Sequence, residues 1–280
     1  MTPPPTNIDG TDITGATIDG QDVQEITVDG DIVFTAVPLG AFDITQLTFD
    51  TSIAAQDADP RGLNFNNDGS KMYEIGRSGD KIYELDLSTP FEISSATLSS
   101  SINSQDSSPF GIAFNDDGTK LYEVGNDGDK IYESSLTTAF DITSASFTTS
   151  INAEGLGTGG IRFNNDGSKL YEGSTLQEIY EYDLSTPFDI SSASLSSTLS
   201  VNRVRGIAFN LDGSRLYAMG DGDNKIRQYE LSTPFDITTA SLSTSINAQD
   251  NDTQDLAWND DGTRLYEIGS GSNQIYQYTL

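Results

Sequence analysis

One stretch recurs five times along the chain, and its period limits the fold more than any other feature. Residues 61–87, RGLNFNNDGSKMYEIGRSGDKIYELDL, return as 110–136, 159–184, 205–231 and 254–280. The anchoring aromatics Phe65, Phe114, Phe163, Phe209 and Trp258 stand 49, 49, 46 and 49 residues apart. At such a period each unit is one supersecondary module, which cannot bury its apolar face alone and is stabilised by packing on its neighbours.

Each unit reads as four short strands. In the first copy these are RGLNF, KMYEIG, KIYELDL and SSATLSSSI. The first reversal is NNDG, where Gly takes positive φ freely and Asn and Asp tolerate it. RSGD makes the second reversal, and TPFEI, with Pro fixing φ, leads into the last strand. Turn residues recur every 8–12 positions and no helical period survives between them, so the chain is all-β. Four strands per unit at this period predict a β-propeller.

The blade count and the closure follow from a second marker series. Phe42, Phe91, Phe140, Phe188 and Phe235 mark the connection to the fourth strand, again five members but shifted towards the N-terminus. Residues 39–53 supply a fourth strand with no first three before it, and Leu280 follows a third strand with no fourth. Joined in one sheet, these partial blades close a five-bladed ring and remove two exposed sheet edges. The expected division is a small β module over 1–38 and the propeller over 39–280.

Composition narrows the function classes. Lys+Arg number 14 against 43 Asp+Glu, for a net charge of −29, and only six of the basic residues are Lys. Such a chain repels nucleic acid and anionic lipid and suits a high-salt medium that screens its self-repulsion. Without Cys or His it has no disulfide, no thiolate nucleophile and none of the commonest general base. The opening MTPPPTNIDG has neither the basic start nor the apolar core of a signal peptide, and no apolar run reaches membrane-spanning length. An extracellular location then implies another way out of the cell, such as release within a virus particle. Residues 7–36 form three decads with Asp9-Gly10, Asp19-Gly20 and Asp29-Gly30 at spacing 10, a hairpin signal. They are too few for a self-sufficient core, so they pack on the propeller, on another copy of the chain or on a partner protein; an assembly or anchoring role, with a homo-oligomer, is expected.

Candidate sites gather at the connections into the innermost strands, which surround the central opening on one face. These are QDADPRG, QDSSPFG, AEGLGTGG, NRVRG and QDNDTQD. The position before the strand glycine varies most: Arg61, Phe110, Gly159, Arg205 and Gln254. Variation on a constant scaffold is where a binding surface is built. Three readings stay open: Asp57, Asp106, Glu154 and Asp250 ring a structural or bridging cation there, Arg61 and Arg205 hold an acidic sugar, or the loops are solvated and hold no ligand. Otherwise no cofactor is expected. The NxDG turns look like calcium loops only in blade one (Asn64–Gly69) and lack the closing acidic residue, so they are turns. The tyrosines Tyr73, Tyr83, Tyr122, Tyr132, Tyr171, Tyr180, Tyr217, Tyr229, Tyr266 and Tyr276 repeat in register, which fits packing between blades with the hydroxyl reaching a partner at the rim. Five-fold repetition with no odd blade argues against a unique catalytic acid and base.

RGIAFNLDGSRLY (205–217) with KIRQYELS, and above all GIAFNDDGTKLYEVG (111–125), resemble the YVTN-type propeller repeats of archaeal and bacterial surface proteins. The family's Val-Thr-Asn after Tyr is replaced here by Glu-Ile-Gly or similar, so no functional residue carries over. DVQEITVDGDIVF (22–34) resembles short segments of structural and tail-associated proteins of tailed viruses, including those of haloarchaea. Together these resemblances imply a non-enzymatic virion surface protein, a fibre, turret or spike component for host attachment. Its partners would be other virion proteins, through residues 7–36, and a host envelope glycan or S-layer protein. The alternatives are a glycan-active propeller enzyme and a cellular surface-layer protein.

Overall fold

The computed structural model describes residues 40–155, 157–201, 204–220 and 223–280 in full, and the backbone of four short strands between residues 7 and 35. Two of the expected Asp-Gly hairpins are there. β1 (Asn7–Ile8) pairs with β2 (Thr11–Asp12) across Asp9-Gly10, and β3 (Glu25–Val28) with β4 (Asp31–Thr35) across Asp29-Gly30. The third, at Asp19-Gly20, and the boundary at 37–39 lie outside the described residues.

Among the described residues, twenty further strands form five four-stranded antiparallel sheets. Blade I comprises β6 (Pro60–Phe65), β7 (Lys71–Gly76), β8 (Lys81–Leu87) and β9 (Ala96–Asn103), from the axis outward. Blade II is β10 (Pro109–Phe114) to β13 (Ala145–Asn152), blade III is β14 (Thr158–Phe163) to β17 (Ala193–Ser200), and blade IV is β18 (Gly206–Phe209) to β21 (Ala240–Asn247). In blade V, β22 (Thr253–Trp258), β23 (Arg264–Gly269) and β24 (Gln274–Thr279) are completed by β5 (Thr48–Ala54). Ile275 pairs with Ile53 and Thr279 with Thr48, so the N-terminal strand closes the ring as expected. One boundary differs. The expected fourth strand began at Ser94, but Ile93–Ser95 is a 3-10 turn and the strand starts at Ala96. The turn drives the fully buried Ile93 inward, and Ile142, Ile190 and Ile237 do the same in blades II–IV.

The blades are held to one another by two repeated contacts. The buried tyrosine of each second strand donates its hydroxyl to the connection Phe carbonyl of the next blade: Tyr73 to Phe140 at 2.6 Å, Tyr122 to Phe188, Tyr171 to Phe235 and Tyr266 to Phe91 at 2.5 Å, and Tyr217 to Phe42. The last of these ties blade IV to the N-terminal segment. Beside them Glu84, Glu133 and Glu181 accept from the backbone N–H of Ile142, Ile190 and Ile237, while Gln228 and Gln277 accept from Ile44 and Ile93. The connection Phe residues all sit at φ 57–60°, a region costly for a side chain with a Cβ. Two contacts fix this conformation. The Phe91 N–H donates to Gly69 at 2.9 Å, and its ring packs where a Cβ on Gly69 would lie, 2.2 Å away. The turn glycine is thus required both for its own φ of +67° and for the ring that covers it.

Candidate functional site

The connections into the innermost strands and the loops between second and third strands do share one face, called here the loop face. Asp57 joins them: it is 3% exposed and accepts from Asp59 N at 2.8 Å, Ser78 N and Gly79 N at 2.9 Å and the Tyr83 hydroxyl at 3.1 Å. Asp106 repeats this with Ser108, Asp127, Gly128 and Tyr132, and Asp250 with Asp252, Gly271, Ser272 and Tyr276. These carboxylates are therefore not turned to the opening. Each is consumed within its own blade, and among the described residues no group of three or more acidic side chains is placed to hold a metal ion. Glu154 is one position out of register with them. It is exposed, and its N–H donates to Glu172 at 3.2 Å as that of Gln56 does to Glu74 at 2.7 Å, so Gly155 holds the aspartate's place.

A layer of glutamates beneath these loops was not read from the sequence. Glu74, Glu123, Glu172 and Glu267 sit in the second strands at 0–1% exposure. Glu74 accepts from the N–H groups of Gln56 and Asp57 at 2.7 Å, and Glu267 from Gln249 at 3.0 Å and Asp250 at 2.9 Å. Burial pushes the Glu74 and Glu172 carboxyls up to about 7, and raises those of Glu123 and Glu267. The signal was the recurrent Tyr-Glu of KMYE, KLYE, KLYE and RLYE, broken only by Tyr217-Ala218.

Above this layer the variable position lies at a β-bulge: the pairing shifts between Pro60 and Gly62, Pro109 and Gly111, and Thr253 and Asp255. A bulge re-aims the extra side chain, and here it gathers Arg61, Phe110 and Gln254 at the mouth. Arg61, 5% exposed, donates to Gln254 at 2.7 Å, pairs with Asp59 at 2.6 Å and lies 4.8 Å from the Phe110 ring centre. Arg77 grips Asp59 from the other side at 2.7 Å and approaches the same ring at 5.8 Å. Arg205 pairs with Asp252 at 2.7 Å. Desolvation lowers the Arg61 pKa, and the charges of Arg77 and Arg205 act in the same direction against the pull of Asp59. The Arg61 Nε is buried without a partner among the described residues. Arg61 and Arg77 thus share Asp59 at the mouth, and Arg205 has Asp252 among its partners. Arg203, in the same connection as Arg205, lies outside the described residues.

The axis below the mouth is plugged by two residues that break the five-fold pattern. Asp255 stands where the other blades have Gly62, Gly111, Gly160 and Gly206, and Arg162 where they have Asn64, Ala113, Ala208 and Ala257. The two pair at 3.0 Å, with Asp255 completely buried. Arg162 also donates to the carbonyls of Leu63, Ile112, Ile161 and Leu256 at 2.7–3.2 Å, so one side chain reaches four blades. Asp255 accepts from Leu63 N at 3.1 Å and Leu256 N at 2.9 Å; burial raises its pKa and Arg162 opposes the shift. The expectation of no odd blade is therefore corrected: blades III and V each carry one odd residue, and the pair closes the axis.

On the opposite, turn face, the small Ala208 and Ala257 leave a cavity of about 220 Å³ floored by Arg162 and walled by Phe163, Phe209 and Trp258, with Asp260 at its rim. Among the described residues no helix is long and apolar enough to cross a membrane.

No protein-family model matches the chain, and no curated protein does. Neither the YVTN-type resemblance nor that of residues 22–34 to virion proteins thus finds a matching family. Among solved structures, a functionally unknown protein from Desulfotomaculum acetoxidans is similar over 75% of this chain, at 14% identity and a TM-score of 0.47. The match spans 62% of that protein's length. The chain is an all-β, five-bladed propeller closed by its N-terminal strand.

Proposed function

We propose that this propeller is a non-enzymatic attachment protein whose loop-face mouth recognises an anionic group, such as the carboxylate of an acidic sugar, on an envelope glycan or S-layer protein. The observation that carries this reading is the arginine centre. In a chain of net charge −29, Arg61, Arg77 and Arg205 gather at one opening, and the Phe110 ring lies against the guanidinium groups of Arg61 and Arg77. The surrounding negative surface repels anions at long range, so capture is favoured where salt screens that repulsion. Many copies on one particle would add weak contacts into firm attachment. A virion fibre, turret or spike is the carrier we favour, with residues 7–36 as the assembly module, on the resemblance of residues 22–34.

The glycan-cleaving alternative needs an accessible carboxylate pair. The glutamates with raised pKa are sealed beneath the loops and hold backbone amides, a support role for the mouth. The test is cell binding and glycan release by the purified full chain at high salt. Binding without release, weakened by Arg77→Ala plus Arg205→Ala, is expected. Release abolished by changing Asp59 or Asp252 alone would replace this reading with the enzyme.

A further inference from the structure

We propose that the turn-face cavity is a second binding site, independent of the arginine centre, that takes a small organic ammonium ion. Its volume of about 220 Å³ equals that of about seven water molecules, enough for a ligand of similar heavy-atom count. Phe163, Phe209 and Trp258 line it, and aromatic faces attract a desolvated cation. Trp258 takes the place of Phe65, Phe114, Phe163 and Phe209 in the other blades, and tryptophan is the best of the aromatic partners for a cation.

The charges around the cavity select the sign of the ligand. Both terminal nitrogens of Arg162, at the floor, are already engaged by carbonyls and by Asp255, whose carboxylate offsets the guanidinium charge that would otherwise repel a cation. Asp260 lies at the rim, and among the described residues nothing donates a hydrogen bond to its carboxylate. Desolvation and the charges of Asp261 and Asp68 raise its pKa, a penalty that a bound cation would relieve. The turn carboxylates Asp68, Asp117, Asp166, Asp212 and Asp261 lie on this same face, each accepting from the backbone N–H two residues on, and their field concentrates cations there. A neutral sugar would use the aromatic walls but gain nothing from that field.

Trp258 is the chain's single tryptophan, so its fluorescence reports this cavity directly. Choline chloride is titrated into the full chain at fixed ionic strength, with 3,3-dimethylbutan-1-ol as the uncharged isostere. The expected result is a saturable change with a dissociation constant of about 1–10 mM for choline, and binding of the isostere weaker by about tenfold or more. Asp260→Asn should weaken choline binding by a similar factor. Asp116→Asn removes the same charge at the equivalent turn position outside the cavity, and should leave binding unchanged. Melting temperatures of both variants check that the fold is intact. The proposal is overturned by the absence of saturation, by equal binding of the isostere, or by equal losses in the two variants. None of these outcomes bears on the arginine centre on the other face.

Discussion

Removing the axial pair one residue at a time should be costly, and removing both should not. Arg162→Ala leaves Asp255 fully buried with two amide donors and no counter-charge, a loss expected to cost about 3–5 kcal/mol. Asp255→Gly leaves the guanidinium on four carbonyls with its charge uncompensated, for a cost of about 2–4 kcal/mol. The double variant gives blade III the alanine of blades II, IV and V, and blade V the glycine of the other four. It leaves neither charge unpaired, and the axial carbonyls and the Leu63 N–H that the pair served take water from the channel it opens, so its cost should be about 1 kcal/mol, less than either single change. The glycine fits the space: at this level Asp255 Cα already lies 2.5 Å from where a Cβ on Gly206 would be. In thermal unfolding at one salt concentration, the arginine variant should melt about 6–15 °C below the parent and the double variant within a few degrees of it. Additive losses, or single losses below about 1 kcal/mol, would refute the view that the pair couples the blades through the axis.

Three further outcomes follow from the ring. A chain starting at Asp57 lacks β5 and opens blade V along β24, so it should lose cooperative unfolding at temperatures where the full chain is folded; equal melting temperatures would contradict closure. Tyr217→Phe removes the hydroxyl bond to Phe42 and should cost about 1–2 kcal/mol by denaturant midpoint, since a buried carbonyl loses its donor, while the aromatic packing on Trp258 at 5.1 Å is kept. Glu74 and Glu172, held at about 7 in the fold against about 4.3 unfolded, are protonated in the folded state and ionised in the unfolded chain between those values. Their contribution is fully present below about pH 4.3 and is lost as pH rises to about 7, by about 1 kcal/mol per pH unit for each. Urea midpoints should therefore fall from pH 5 to pH 7, and Glu74→Gln plus Glu172→Gln should flatten the slope; a rise over that range would contradict the assignment.

The architecture was legible because its determinants are local. The NxDG turns, the bounds of strands such as Lys71–Gly76 and Lys81–Leu87, and the stray fourth strand before Asp57 can all be read within a few residues of one another. The site was less legible because burial depends on register across a blade. Asp57, Asp106 and Asp250 look like solvated loop carboxylates until the loops of two strand pairs fold over them. Arg77 joins the mouth from a loop that can extend the binding face but whose Gly-Asp pair reads first as turn chemistry. Arg162 and Asp255 are 93 residues apart and meet only because the ring brings blades III and V to one axis. Their departure from the repeat was nonetheless visible, since one carboxylate among four glycines asks for a partner.

Anion capture at the mouth is the central functional claim, and calorimetric titration with glucuronate against glucose, at fixed ionic strength, tests it most directly. The account predicts saturable binding of glucuronate alone, weakened about tenfold or more when Arg77 and Arg205 are both changed to alanine. Equal behaviour of the two sugars, or glucuronate binding untouched by the loss of both arginines, would contradict it.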